Sequence, residues 1–148
     1  MKIYFAAPVR GDRSKIETNK FIVKLIKESG HEILTEHTIK EKEKLVEIEN
    51  NFGHKNIYQR DINWLKECDL MIAEASTSSF GVGYETGYLL GISNPFDKNN
   101  RKVIILYDKN IEKEVSALAV GNSDSNAVVY GYKNEKDISN FLKKYLQQ

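Results

Sequence analysis

Val103-Ile104-Ile105-Leu106-Tyr107 is an unbroken apolar run, and its continuity decides the fold class. A strand that alternates apolar and polar residues faces water on one side. A strand apolar throughout is covered on both, as in a parallel sheet flanked by helices. Working outward, Ile3–Ala7 and Leu70–Ala73 read the same way, Ala127–Tyr130 supplies another strand, and Ile33-Leu34 a short fifth. Between them, Phe21, Ile22, Leu25 and Ile26 form one helical face, which Gly30 closes. Ile138, Phe141, Leu142, Tyr145 and Leu146 repeat at helical spacing and predict a second amphipathic helix. Strands and helices alternating through short links predict an α/β fold. Its form is a Rossmann-like, doubly wound, mostly parallel five-stranded sheet with helices on both faces. The mostly charged stretch 40–51 gives the weakest signal and reads as a solvated helix or a mobile loop.

The 148 residues fit one domain over 1–148, long enough to bury roughly two thirds of the unfolded surface without a metal or disulfide staple. A net charge of +1 lacks the basic stripe that nucleic acids require, though it leaves room for a small anionic ligand held by one or two arginines. The single cysteine, Cys68, suits a reducing compartment. No apolar run reaches membrane-spanning length, and Met1–Arg10 is too quickly charged for a signal peptide. A soluble, cytoplasmic protein is expected.

In open α/β sheets ligands sit at the carboxyl ends of the strands. Ala7–Arg13, Glu74–Tyr84 and Asp108–Asn110 fall there. Gly81-Val82-Gly83-Tyr84-Glu85-Thr86-Gly87 follows a strand and opens a helix, with Glu85 in its first turn. Free N–H groups and the helix dipole would favour an ionised carboxylate there. Glu85 is then either an acid complementing a helix start or a carboxylate nucleophile, with Gly81 and Gly83 letting a ligand approach. Asp61 lies mid-stripe on the face of Ile57, Trp64, Leu65 and Cys68. An aspartate so placed is satisfied by backbone amides or an arginine, or else is a general acid kept protonated by desolvation. Arg10 and Arg13 flank Gly11 just past the first strand, in a position suited to a phosphate or carboxylate. Asp12 opposes that unless it points outward. Ser76–Ser79 offers hydroxyls at the same rim, or a polar turn. Tyr4 lies within a strand, where core packing is the ordinary role. His31, His37 and His54 lack metal-like spacing, so no metal site is expected.

Ile3–Arg13, Thr35-Glu36-His37, Asp61-Ile62-Asn63-Trp64 and Ser79-Phe80-Gly81-Val82-Gly83-Tyr84-Glu85 occur in the order of a known superfamily. Across nearly the whole chain the sequence resembles the nucleoside 2-deoxyribosyltransferase superfamily, most closely its 2'-deoxynucleoside 5'-phosphate N-hydrolases. The resemblance implies that Glu85 attacks the anomeric carbon and forms a covalent glycosyl-enzyme. Asp61 would protonate the leaving base and Tyr4 would orient Glu85. Arg10, Gly11, Arg13 and Ser79 match positions that hold the 5'-phosphate, and Ser116 matches a serine given by a neighbouring subunit. His37 matches a histidine near the site. A small deoxynucleotide substrate, no cofactor, and a homodimer with a shared active site are thus expected. The phosphate loop departs from the hydrolases at Pro8 and Asp12, and no arginine precedes Gly121. Base exchange by a transferase, and a non-catalytic nucleotide binder, are the rival readings.

Overall fold

The computed structural model describes residues 1–94 and 100–147. Its sheet consists of β1 (Lys2–Ala6), β2 (Glu32–Ile33), β3 (Leu70–Glu74), β4 (Lys102–Asp108) and β5 (Ala127–Tyr132). They lie in the order β2-β1-β3-β4-β5, and every pair is parallel. The expected mostly parallel sheet is therefore wholly parallel. Ile3 faces Leu70 across β1 and β3, and Leu70 faces Lys102 across β3 and β4.

Strand pleating sends the continuous apolar runs to both faces. On one face Ile3, Phe5, Ile72, Ile104 and Leu106 pack against α1 (Ile16–Glu28) and α6 (Glu135–Leu146). On the other, Tyr4, Ala6, Met71, Ala73 and Ile105 pack against α3 (His54–Glu67) and α4 (Phe80–Ile92). Each fully buried Ile or Leu stabilises by about 1.5–3 kcal/mol, and the pattern leaves such residues on both faces.

Gly30 follows α1 at φ 78°, the left-handed turn the sequence assigned to it. The charged stretch is ordered as a helix, α2 (Lys42–Phe52), with Leu45 and Glu49 buried beneath it. Gly53, at φ 85°, breaks α2 from α3. The strand order reverses between β1 and β3, so a crevice opens at their carboxyl ends. A 3-10 turn (Glu36–Ile39) and α2 stand over that crevice. On the far side, α5 (Ala117–Val120) follows β4.

Candidate active site

β1 turns Tyr4 toward the α3–α4 layer, where its hydroxyl donates to Glu85 Oε1 at 2.7 Å. Burial, with Glu85 next, drives the phenol pKa far up, so Tyr4 remains a fixed donor. Glu85 does not occupy the first turn of its helix, contrary to expectation. Ser79 is the N-cap, accepting from the Val82 N–H at 3.3 Å, and the first turn holds no acid. Removed from the free N–H groups, the Glu85 carboxyl is governed by burial, which raises it from 4.5 to about 7 against the pull of Tyr4. Nearby Asp61 adds to the rise. The expected ionised carboxylate is thus a carboxyl that holds its proton near neutrality.

Asp61, on α3, is also raised by burial, opposed by the neighbouring Arg60. Arg60 Nε sits 2.8 Å from Asp61 Oδ1. Both sequence alternatives for Asp61 are present together: an arginine-paired acid whose proton affinity is elevated. Arg60 Nη2 reaches His37 Nε2 at 3.3 Å, and its guanidinium lies 4.8 Å from the Trp64 ring centre and 5.5 Å from that of Phe52. His37 leans on Trp64 with ring centres 5.8 Å apart, and burial, Arg60 and Lys40 lower its pKa to about 4. The segment bearing His37 is pinned to β1 by Thr35, whose hydroxyl donates to Phe5 O at 2.6 Å and accepts from Phe5 N at 2.9 Å.

Tyr4, His37, Glu49, Asp61 and Glu85 line one hollow of about 30 Å³, room for a water rather than a nucleotide. Glu49 closes it from α2 and binds Arg10, Oε2 to Nε at 3.0 Å, while Arg10 Nη2 reaches Asn50 Oδ1 at 3.4 Å. Arg13 Nη2 donates to the carbonyls of Thr38 at 2.9 Å and Lys40 at 2.7 Å, which ties the loop to the 3-10 turn. Both arginines brace the crevice in this state. Asp12 turns back on its own loop and accepts from Ser14 N at 2.8 Å. Gly11 is exposed, with space for a Cβ only 3.6 Å from Ser78 O.

Ser79, Gly83 and Ser116 gather elsewhere. They line a second hollow of about 540 Å³ between α4, α5 and β4, with Phe80, Tyr84 and Leu118. Gly81 is exposed nearby, its nearest neighbour being Ser79 Oγ. Ser76, expected at the rim, is buried. Its hydroxyl donates to Glu74 and accepts from Asp108 N at 2.7 Å, linking β3 to β4. Among the described residues no group of three or more His, Cys, Asp or Glu is arranged to hold a metal ion.

Sequence reasoning missed Arg60 and Glu49. Residues adjacent along a helix point about 100° apart, so periodicity placed Arg60 off the stripe that carries Asp61. Glu49 lay in a stretch whose charge suggested solvent.

Fold and site define a doubly wound α/β protein with two proton-affine carboxyls in the crevice of a parallel sheet. The chain belongs to the nucleoside 2-deoxyribosyltransferase family, whose model matches residues 3–119. It is 33% identical over 134 residues to a Thermofilum pendens protein provisionally named 2'-deoxynucleoside 5'-phosphate N-hydrolase 1, covering 90% of this chain and 87% of that one. It is 32% identical to the 5-hydroxymethyl-dUMP N-hydrolase of Danio rerio, covering 99% of this chain and 96% of the relative. The fold matches the Clostridium botulinum CMP N-glycosidase BcmB at a TM-score of 0.65 and 22% identity, over 98% of this chain and 99% of that one.

Proposed function

We propose that this protein hydrolyses the N-glycosidic bond of 2'-deoxynucleoside 5'-monophosphates, releasing the free base and deoxyribose 5-phosphate. The observation that carries the reading is the Tyr4–Glu85 hydrogen bond in the same hollow as Asp61. Relatives named as nucleotide N-hydrolases support the reaction class. In the first step the Glu85 carboxylate attacks the anomeric carbon. The bond to the base nitrogen breaks, its electron pair leaves with the base, and Asp61 gives the base a proton. Water then attacks the same carbon, Asp61 takes back a proton, and Glu85 is released. Both steps pass through an oxocarbenium-like transition state, which the absence of a 2'-hydroxyl makes easier to reach. Tyr4 holds the attacking oxygen.

The hollow is too small for a nucleotide, so entry requires α2 to move with Glu49. A 5'-phosphate is the natural competitor for Arg10, because it offers more charge than the carboxylate it displaces. Gly11 gives the phosphate backbone access, and Arg13 keeps the loop in register. Two copies meeting across α4 would complete the site. Glu85 is the one charged residue of α4, and Phe80 and Leu118 stand 91% and 86% exposed beside the second hollow. Gly83, Gly87 and Gly91 leave open space along the same helix. Such a surface is what a close helix contact covers, and it presents Ser116 to the partner. No described helix is long and apolar enough to cross a membrane. Free, buried Cys68 accords with the cytoplasm.

Incubating the four deoxynucleoside monophosphates with the protein and separating the products by chromatography tests the reaction. Free base together with deoxyribose 5-phosphate is expected, and no base release from any of the four overturns it. Pro8 in the phosphate loop favours base exchange as the second reading. Addition of a different free base distinguishes it by the appearance of a new deoxynucleoside product.

A further inference from the structure

We propose that Arg60 is the positioning residue of this site, a cation that fixes the Asp61 carboxyl and the His37 ring together and leaves His37 with its hydrogen on Nδ1. A guanidinium has only donors, so at 3.3 Å from Arg60 Nη2 the His37 Nε2 must be the acceptor. A neutral imidazole carries one N–H, and it is therefore on Nδ1. The ring stays neutral through the working range, since burial and Arg60 depress its pKa to about 4.

The same guanidinium is committed to Asp61 through Nε at 2.8 Å. The guanidinium is rigid and planar and lies 4.8 Å from the Trp64 ring centre and 5.5 Å from that of Phe52, so its two contacts cannot turn independently. Only 19% of the Arg60 side chain is exposed, which keeps water from replacing either contact. The groups facing Asp61 complete the arrangement: Glu49 from α2, His37 from the 3-10 turn, Tyr4 from β1 and Glu85 from α4. Among these five side chains Arg60 acts on four, lowering the proton affinity of Asp61, His37, Glu85 and Tyr4 alike. A lysine could supply the charge but not the planar fork that reaches two partners at once. The arrangement leaves a permanent imidazole N–H donor, beside the Tyr4 hydroxyl already committed to Glu85, among carboxyls that accept or exchange protons. Resting on the N-glycosidase reading, its complement in a substrate is an acceptor atom of the departing base, a carbonyl oxygen or an unprotonated ring nitrogen.

The test is the ¹⁵N spectrum of His37 in the substrate-free protein, with a ¹³C carboxyl titration of Asp61, for wild type, Arg60→Leu and Arg60→Lys. Wild type should show the proton on Nδ1 and a ring that stays neutral down to about pH 5. Arg60→Leu should lose the single tautomer and move the Asp61 titration to higher pH. Arg60→Lys should restore the Asp61 titration without the tautomer. In a base-release assay the Leu variant should lose about 10-fold or more in kcat/KM, the usual consequence of deleting a hydrogen bond to a charged group. Its pH–rate profile should shift upward. A wild-type proton on Nε2, or a ring charged above pH 5, overturns the proposal even if both variants fail to fold. So does a Leu variant unchanged in both spectra, or a Lys variant that matches wild type in both. Absence of base release by wild type would remove the enzymatic reading while leaving the spectra to decide the role of Arg60.

Discussion

Tyr4→Phe deletes one hydroxyl and leaves the ring packing intact, so it isolates the Tyr4–Glu85 hydrogen bond. That bond, 2.7 Å long, favours the ionised carboxylate and opposes the burial that holds Glu85 near 7. A hydrogen bond to a charged group contributes roughly 1.5–3 kcal/mol, equivalent to about one to two pKa units. Glu85 in the variant should therefore titrate about one to two units higher than in wild type. At pH 7 the ionised fraction would fall from about half to between about 1% and 10%, and base release would drop about 5- to 50-fold. The limb of the pH–rate profile set by Glu85 should move upward by the same interval. The assay is kcat/KM for a deoxynucleoside monophosphate from pH 5 to 10, with thermal unfolding as a check on the fold. A folded variant whose rate falls equally at every pH would refute the reasoning, because Tyr4 would then be placing the substrate rather than setting Glu85.

Glu85→Gln should abolish turnover and stabilise the fold above neutral pH. Folded Glu85 keeps its proton between pH 4.5 and about 7 while the unfolded chain has lost it. Stability is therefore lost as pH rises through that window, and the amide recovers at most about 3 kcal/mol, read by denaturant unfolding at pH 5 and 8. Equal stabilities at both pH values would contradict the burial of that carboxyl. Asp61→Asn should lower base release by about 10² to 10⁴, with stability changed by no more than about 1 kcal/mol from the lost Arg60 pair. A variant unfolded as well as inactive would make Asp61 a structural anchor. Arg10→Ala should erase most of the preference for the monophosphate over the deoxynucleoside, about 10- to 150-fold, measured as a ratio of kcat/KM values. No preference in wild type would favour the transferase reading. Leu118→Glu should give a one-subunit mass by light scattering and reduced activity, and full activity as a monomer would refute a shared site.

Most of the sheet was legible because its strands are covered on both faces, which forces continuous apolar runs on the sequence. The strand predicted over Ala127–Tyr130 extends to Tyr132, whose ring packs under α6 although Gly131 interrupts the apolar run. α2 was legible only as one of two alternatives, helix or loop, since a helix that buries only Leu45 and Glu49 leaves a weak apolar pattern. Asp61 stood out because a carboxyl interrupts an apolar stripe. Arg60 did not, because its place beside Asp61 depends on how a long side chain folds back along one helix. For Glu85 the position was legible and the charge was not. The charge depended on whether the helix began at Phe80 or nearer Glu85, and the hydroxyl of Ser79 settled that by capping Val82.

The same cap explains how one short motif serves two hollows. With α4 starting at Phe80, successive residues rotate by about 100°, so Val82 and Leu89 meet the sheet while Glu85 turns toward Tyr4. Gly83 and Gly87 then point to the opposite side, where no Cβ would meet anything within 4 Å. Gly83 and Gly87 are thus set on the outer side of the helix. They leave that face low, which is the form the proposed contact between two copies would use. Replacing Gly87 with leucine separates the two duties: base release per active site should persist in any dimer that survives, while the dimer itself weakens. Loss of the Tyr4–Glu85 bond in a Gly87→Leu protein that remains dimeric would show that the two faces are not independent.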